Sequence, residues 1–391
     1  MTKNVRTRRR RELCRLAGLF LRLGFTAFGG PAAHIALMRE EVVRRRSWLT
    51  DREFLDLLGA TQLIPGPNST EMAMHIGWRR AGMPGLLVAG VCFILPSALM
   101  VTALARAYLR LGHLPQVEAL LHGVKPVILA IVARALWDLG RQAIQTPMLA
   151  VMAACAAALA VTGLHELTIL FGTAAAVVLL SRFGPGVRGR TGPAWAGFPI
   201  AGAAAVATEV AAAPVSLWPL FLFFLKVGAV LFGSGYVLLA YLRADLVERW
   251  QWLTEAQLLD AVAAGQLTPG PVLTTAAFVG YLLAGLPGAA VATAGIFLPA
   301  FVLVALTARV IERLRTWPLL GRFLDGLNVA SWALMGVVTW QLGRAALSDA
   351  WTVMLAGVTA VLLFVTRLNP TWYILVGALL GLAAQMLGEP K

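Results

Sequence analysis

The hexapeptide QLIPGP, residues 62–67, recurs 204 positions later as QLTPGP, residues 266–271. In both copies, two prolines flank a glycine inside a long apolar stretch. Proline lacks the N–H that a helix needs and glycine adds backbone freedom, so this triplet ends a helix. Backbone groups freed inside a bilayer are tolerated only where protein or a watery cavity surrounds them. We therefore expect a helix break within the membrane in each copy. A simple kink, or a loop at the membrane surface, is the alternative.

The two hexapeptides belong to a repeat that runs through most of the chain. LGFTAFGG, residues 23–30, aligns with VGAVLFGS, residues 227–234, at the same offset of 204. After a one-residue deletion the offset is 203, which pairs Pro84 with Pro287. Such ordered matches indicate two homologous halves. Many transporters are built in this way, with the cargo site at the interface between the repeats.

The composition places this repeat in a membrane. Of the 391 residues, 59% are hydrophobic and only 13% are charged, whereas soluble domains carry roughly 25% charged residues. About 12 or 13 apolar stretches are present, many of them near the 20 residues that cross the hydrocarbon core as a helix. The composition excludes a soluble enzyme, a disordered chain and a nucleic-acid-binding module. It predicts an all-α polytopic membrane protein whose environment is the lipid bilayer.

The net charge of +14 gives a topology signal. The basic residues concentrate at the N-terminus and in a linker near 182–193, and positive charge marks the cytoplasmic side. If both regions are cytoplasmic, the halves run parallel unless the weak apolar segment 194–214 crosses once. We favour inverted repeats with about 10–12 transmembrane helices, broken at the FGG and PGP motifs. The predicted divisions are a basic cytoplasmic N-terminus (1–15), a first transporter repeat (16–182), a linker (183–214) and a second transporter repeat (215–391).

The helix starts that follow the PGP breaks suit an oxyanion, because free N–H groups and the positive end of the helix dipole point toward it. Small residues at the FGG and FGS breaks allow either close ligand approach or plain helix packing. Lys226, deep in an apolar run, and its repeat mate Arg22 either supply positive charge to the site or reach back to the interface. The predicted substrate-binding residues are Arg22, Gly29, Gly30, His34, Gln62, Pro65, Gly66, Pro67, Asn68, Ser69, Thr70, Lys226, Gly233, Ser234, Gln266, Pro269, Gly270, Pro271, Thr274 and Thr275.

Two of the titratable residues carry open alternatives. His34 is either a cargo donor, a proton carrier or a packing histidine. Glu71, whose repeat mate is Thr275, is the candidate for carrying a coupling proton; a helix position beside an arginine is the alternative. The three cysteines and five histidines show no ligand spacing. We therefore expect no metal site, no disulfide, no cofactor and no enzymatic activity.

At these residues the sequence resembles the chromate ion transporter family, in its long two-domain form. The resemblance is carried by GFTAFGGPAAHIALM (24–38), QLIPGP, FLKVGAVLFGSGY (224–236) and WLTEAQLLDAVAAGQLTPGP (252–271). It covers the chain from about Leu16 to Gly381. It implies about ten helices in two halves of opposite orientation, and export of chromate from the bacterial cytoplasm.

We therefore expect a secondary active transporter of the bacterial cytoplasmic membrane. It would be an antiporter that exports chromate, or a related tetrahedral oxyanion, by alternating access and confers chromate resistance. The sequence contains no P-loop, so this chain does not hydrolyse ATP. An importer or exchanger of sulfate or another anion and a passive channel are the open alternatives. Nucleic acid is not an expected partner, and the sequence leaves open whether the chain forms a homodimer.

Overall fold

The computed structural model describes residues 2–112, 114–181, 216–233, 235–308, 318–347, 349–366 and 368–386. Within these ranges the regular elements are helices, with no strand. The first half contains α1 (Thr2–Thr26), α2 (Gly30–Arg39, continued by a π-helical turn Glu40–Arg45), α3 (Asp51–Thr61), α4 (Asn68–Leu111), α5 (Pro115–Ala143), α6 (Pro147–Val161) and α7 (Glu166–Leu180). The second half contains α8 (Leu217–Val230), α9 (Leu238–Leu242, continued by a π-helical turn Arg243–Arg249), α10 (Glu255–Leu267), α11 (Thr275–Thr307), α12 (Pro318–Ala346), α13 (Ala350–Val365) and α14 (Pro370–Met386). The predicted linker 183–214, with its weak apolar segment, lies outside the described residues.

The predicted helix breaks are confirmed in both halves. At the first motif, α1 ends at Thr26 and α2 begins at Gly30. At the second, α3 ends at Thr61 and the chain becomes helical again at Asn68. In the second half the same motifs follow the ends of α8 and α10.

Helix α4 is a hairpin, which the sequence analysis did not predict. Its two arms, α4a (68–80) and α4b (83–111), are joined by a turn in which Gly82 has a φ of 63°. A Cβ added to Gly77 would lie 2.2 Å from the carbonyl oxygen of Gly85, although residues eight apart in a straight helix are about 12 Å apart. The arms therefore fold back on each other. Glycine fits this turn because its φ lies in the left-handed region.

The second half repeats this hairpin in α11. Its arms, α11a (275–283) and α11b (286–307), meet where a Cβ on Gly280 would lie 2.3 Å from the carbonyl oxygen of Gly288. The turn glycine, Gly285, has a φ of 61°. The two halves thus share tertiary structure as well as sequence.

Helices α3 and α4a form a re-entrant hairpin with the PGP motif at its tip. Arg79, at the end of α4a, forms an ion pair of 3.1 Å with Glu53, at the start of α3, so the two arms run antiparallel. With 11 residues in α3 and a similar length in α4a, each arm spans roughly 16–20 Å. That is a little over half of the roughly 30 Å hydrocarbon core. The tip therefore lies near the middle of the membrane.

The repeat mates α5 and α12 pack antiparallel. Leu136 lies against Gly336, while Gly140, one turn further along α5, lies against Trp332, one turn earlier along α12. The indole N–H of Trp332 also donates a 2.8 Å hydrogen bond to the carbonyl oxygen of Leu136. Two equivalent helices that pack antiparallel are related by an axis perpendicular to their length.

The repeat mates α4b and α11b show the same relation. Gly90, near the start of α4b, is in contact with Phe301, near the end of α11b. Leu86, Ala300 and Val304 belong to the same buried cluster. Because the helices that cross the membrane are inverted between the halves, the symmetry axis lies in the membrane plane. The expectation of inverted repeats is thus confirmed.

The described helices match the predicted membrane protein. Three stretches are long and apolar enough to span a bilayer: Asn68–Leu111, Pro115–Ala143 and Val272–Thr307. Five shorter apolar helices accompany them, and many leucine, valine and aromatic side chains are exposed on the outside of the bundle. In a bilayer this apolar surface contacts lipid tails. The number of crossings stays a prediction, because the connections after α7 and α11 lie outside the described residues.

Candidate functional site

In the second half, α10 and α11a, the repeat mates of α3 and α4a, place the second PGP motif at the tip of an equivalent hairpin. The tip of each hairpin bonds to the helix break of the other half. The N–H of Gly66 donates to the carbonyl oxygen of Leu231 at 2.8 Å, and the N–H of Gly270 donates to the carbonyl oxygen of Ala27 at 2.9 Å. Ala27 and Leu231 are themselves repeat mates. Both PGP motifs and both FGG-type breaks therefore meet in one place, which we call the tip crossing.

Both tip glycines are required by local geometry. Gly66 has a φ of 139° and Gly270 a φ of 92°, which is backbone that other residues rarely adopt. A Cβ on Gly66 would lie 2.3 Å from Oε1 of Glu71, and one on Gly270 would lie 2.8 Å from the Cβ of Ser97. The tips therefore leave no room for a side chain.

The helix starts at the tip crossing carry the predicted donors, and these are buried. Ser69 and Thr70 in the first half, and Thr274 and Thr275 in the second, are at most 2% exposed. The helix itself offers no carbonyl group to the amides of Asn68 and Ser69. Such a start can bind an anion, since its free N–H groups and dipole both favour negative charge.

The two helix starts differ in how their hydroxyl groups are satisfied. Thr274 shares a 2.8 Å hydrogen bond with Ser97 of the other half, and Thr275 donates to the carbonyl oxygen of Val272 at 2.8 Å. The hydroxyl of Thr70 has no partner, because Ala300 stands at the repeat position of Ser97. Unsatisfied hydrogen-bonding capacity is therefore greater in the first half.

The two predicted glutamines occupy different environments. Gln62 is exposed, whereas Gln266 is 8% exposed. The Oε1 of Gln266 accepts a 3.4 Å hydrogen bond from the hydroxyl of Tyr236, and its Nε2 has no partner. Gln266 therefore offers a buried, unused N–H donor. Tyr236 was not predicted; its hydroxyl would lie 3.9 Å from a Cβ on Gly30.

The FGG and FGS breaks have further polar neighbours that the sequence analysis missed. Gly29 lies against the side-chain amide of Asn369. Gly233 lies near Asn328 and Ser331, and the hydroxyl of Ser331 is buried without a partner. Ser234 lies outside the described residues. These neighbours come from distant helices, so their only signal in the sequence was a polar residue inside an apolar stretch.

His34 supports the tip crossing from the side. Its Nε2 is 3.0 Å from the carbonyl oxygen of Ala27, and must donate there because a carbonyl only accepts. The same oxygen accepts the N–H of Gly270. The ring of His34 packs edge-to-face on Phe93, with centroids 5.6 Å apart. This environment favours a structural role in holding the break.

The predicted cations Arg22 and Lys226 are both ion-paired, at positions related by the repeat. Arg22 lies 2.7 Å from Glu41, and Lys226 pairs with Asp245. Each carboxylate is the repeat mate of the other. In this conformation each of the two positive charges is compensated by its own neighbouring acid. A contribution of Arg22 or Lys226 to the anion site therefore stays a prediction.

These charge clusters border two surface pockets. One, of about 200 Å³, is lined by Arg22, Glu41 and Arg45. The other, of about 270 Å³, is lined by Arg243 and Arg249 among others, and Arg249 is the repeat mate of Arg45. Inversion of the halves places Arg45 and Arg249, and with them the two pockets, on opposite sides of the membrane.

The coupling candidate Glu71 is fully buried at the first tip, and neither carboxylate oxygen has a hydrogen-bond partner. One turn later, His75 is 1% exposed and its Nε2 is likewise unpartnered. The sequence analysis did not single out His75. The spacing of four residues from Glu71 on a helix was the available signal.

Comparisons with known proteins agree with this arrangement. The chromate transporter family matches the chain twice, over residues 14–179 and 218–382. The chain is 34% identical to the chromate transport protein of Cupriavidus metallidurans, over 96% of this chain and 94% of that protein. It is 33% identical to the probable chromate transport protein of Synechococcus elongatus (88% of each chain) and 30% identical to the chromate transport protein of Pseudomonas aeruginosa (93% of this chain, 90% of that protein). No solved structure matches. Two inverted halves, each matched by the family, show that this chain belongs to the chromate transporter family.

Proposed function

We propose that this chain is a secondary active transporter of the bacterial cytoplasmic membrane that exports chromate, or a related tetrahedral oxyanion, by alternating access. The observation that carries the proposal is the tip crossing, where the tip of each hairpin bonds to the helix break of the other half through the Gly66–Leu231 and Gly270–Ala27 hydrogen bonds. A site at the interface of inverted repeats near the membrane midplane is where such transporters bind their cargo. The names of the relatives supply chromate as the substrate class.

The oxyanion would bind between the two helix starts. Its oxygens would accept from the backbone amides of Asn68 and Ser69, from the hydroxyl of Thr70 and from the Nε2 of Gln266. These are donors that the protein itself leaves available. The glycines of both breaks let the backbone approach the anion closely. The remaining predicted residues, among them Thr274 and Thr275, would shape the second side of the site.

Alternating access would come from rocking of one half against the other. The two hydrogen bonds of the tip crossing are equivalent and nearly equal in length. Breaking one while keeping the other would open the site toward one membrane face. Arg45 and Arg249, which are repeat mates and line the two pockets, would attract the anion at the two mouths.

The membrane potential favours export of a dianion. Moving one charge across 100 mV is worth about 2.3 kcal/mol, so two negative charges leaving an inside-negative cell gain about twice that. The outward direction itself rests on the family resemblance. Chromate resistance would follow from a lower cytoplasmic concentration.

Two measurements test the proposal. Cells that produce the protein should accumulate less labelled chromate than empty-vector cells and should grow at higher chromate; unchanged uptake together with unchanged resistance would contradict it. In proteoliposomes, saturable flux with chromate counterflow is expected, whereas a channel shows neither. Restored growth of a sulfate-uptake mutant on limiting sulfate would instead favour a sulfate importer.

A further inference from the structure

Two buried titratable side chains of α4a lack partners. Both oxygens of Glu71 and the Nε2 of His75 are buried and have no hydrogen-bond partner among the described residues. Buried polar groups are paired in the large majority of cases, because an unpaired one is costly. An unpaired carboxylate is the most costly of all, since an ionised acid loses its hydration in an apolar interior. A neutral, protonated acid is therefore the stable form in this conformation.

These two side chains begin a line that leads to the membrane surface. Positions 71, 75 and 79 follow one face of α4a at a spacing of four residues. Arg79 is half-exposed and pairs with Glu53 at 3.1 Å. The pKa of Glu53 lies below its ordinary value because the amide and hydroxyl of Thr50 hydrogen-bond its carboxylate. The surface end of the line thus carries an ion pair, while the inner end carries the unpaired acid.

This surface is the one at which the chain begins. Arg80, next to Arg79, forms an ion pair with Glu12, near the basic start of α1. The predicted orientation makes that side cytoplasmic. The line therefore connects the tip crossing to the cytoplasmic face.

The second half has no equivalent line. Thr275 replaces the glutamate, and its hydroxyl is satisfied within its own turn. Phe278 or Val279, depending on where the one-residue deletion is placed, replaces the histidine. Among the described residues, the tip crossing therefore holds a single carboxylate, that of Glu71. Both halves share the helix breaks and hairpins, but only the first half carries the titratable pair Glu71 and His75.

The carboxylate lies at the proposed anion site. Its Oε1 would be 2.3 Å from a Cβ on Gly66, and Glu71 directly follows the donors Ser69 and Thr70. A dianion and an ionised carboxylate this close repel strongly, because a buried site screens charge poorly. The two charges therefore exclude each other.

We propose, on the basis of the function proposed above, that an oxyanion occupies the tip crossing only while Glu71 is protonated and that this proton travels with the anion. The proton arrives from water at the cytoplasmic face, passes through Nε2 of His75 and adds to one carboxylate oxygen of Glu71. With a single carboxylate, each cycle moves one net negative charge outward instead of two. A proton antiporter would require the opposite linkage, in which anion binding expels the proton.

Other titratable groups around α4a do not compete for this proton. In the described parts of α1, α2, α3 and α11, His34 is the one buried titratable side chain, and its Nε2 is committed to the carbonyl oxygen of Ala27. Cys92 of α4b and Tyr281 of α11 are partly buried. Asp260 of α10, which also packs against α4, is buried but lies 3.6 Å from Lys125 and accepts a 3.0 Å hydrogen bond from Tyr108. The acids nearer the surface are ion-paired, as in the pairs Glu41–Arg22 and Glu12–Arg80.

Isothermal titration calorimetry of the purified full-length protein counts this proton. Chromate is titrated at several pH values from about 8 to 10, where it is a dianion, in buffers that differ in ionisation enthalpy; the dependence of heat on buffer gives the protons taken up per anion bound. For the wild type we expect proton uptake to rise toward about one per anion as the pH rises and the free acid ionises, and for Glu71→Gln we expect about zero at every pH. The Kd of the wild type should rise about tenfold per pH unit at alkaline pH, while that of Glu71→Gln stays flat.

Control variants separate the proton site from general damage. Glu40→Gln removes a carboxylate from exposed ion pairs and should keep one proton per anion. Glu71→Asp keeps a carboxylic acid and should also retain the proton. Loss of the proton in Glu71→Gln alone is then due to the missing acid and not to a damaged fold. His75→Gln should retain the stoichiometry but slow proton arrival, measured with a pH indicator in stopped flow.

The outcomes distinguish the two proposals. Chromate binding by the wild type with no proton uptake, or with proton release, would overturn the inference and leave the proposed function intact. Binding that depends on sodium ions would assign the buried carboxylate to a metal cation instead, and would also overturn it. Absence of chromate binding by the wild type would refute the proposed function itself, and the inference with it.

Discussion

Replacing Gly270 by alanine tests the tip crossing. The variant would carry two separate costs. A left-handed φ of 92° costs a non-glycine residue roughly 1–2 kcal/mol. In addition, the new Cβ would lie 2.8 Å from the Cβ of Ser97, and overpacking of this kind costs about 1–3 kcal/mol. Relief of the contact would pull the Gly270 amide away from the carbonyl oxygen of Ala27, which breaks one of the two crossing bonds.

Gly163 provides the matched control. It has a φ of 80°, but a Cβ there would meet no atom within 4 Å. Gly163→Ala therefore pays the backbone cost without the contact. The difference between the variants isolates the crossing, and 1–3 kcal/mol corresponds to about 5-fold to 150-fold in an equilibrium.

The assay is chromate counterflow in proteoliposomes that contain equal amounts of each variant, together with the apparent Tm in detergent. Gly270→Ala should lose at least about five-fold in counterflow relative to Gly163→Ala, and should melt at a lower temperature. Equal counterflow and equal Tm for the two variants would refute the claim that the tips meet as described.

Three further changes extend the test. Ala300→Ser gives the unpartnered hydroxyl of Thr70 the neighbour that Thr274 already has; it should stabilise the protein by about 1 kcal/mol, and a lower Tm would contradict the inferred symmetry. Lys226→Gln should abolish transport while leaving the protein inserted in the membrane. Exchanging Lys226 and Asp245 should not restore transport, and full activity in either variant would remove Lys226 from the anion pathway. Gln266→Leu should weaken chromate binding more than Gln62→Leu, because only the former removes a buried donor; a larger effect at Gln62 would argue against the site as placed.

The sequence was sufficient to predict the helix breaks. Two prolines around a glycine stop a helix in any context, and the 204-residue repeat marked both copies. The duplicated halves followed from the same alignment. These features are local or periodic, and for that reason they can be read without coordinates.

The pairing of each tip with the opposite half could not be predicted. The acceptors are backbone carbonyl groups of Ala27 and Leu231, and an apolar residue in the sequence does not reveal where its carbonyl points. The hairpin turns at Gly82 and Gly285 were also missed, because a glycine and a proline there mark the boundary of an apolar segment but not the direction in which the next helix runs.

The partners of the two membrane cations were, by contrast, available in the sequence. Glu41 follows Arg22 by 19 residues, and Asp245 follows Lys226 by the same distance. An acid conserved in register between the two halves predicts a shared ion pair. Arg22 and Lys226 were expected either to supply positive charge to the anion site or to reach back to the interface. Neither expectation included their acid partners.

The position of the bound oxyanion tests the central claim most directly. Anomalous scattering from chromium in a crystal of the chromate-bound protein locates the anion without relying on its shape. We expect chromium at the tip crossing, in contact with the start of α4a at Ser69 and Thr70 and with the side chain of Gln266. Chromium bound only in the pocket beside Arg243 and Arg249, with the tip crossing empty, would contradict it.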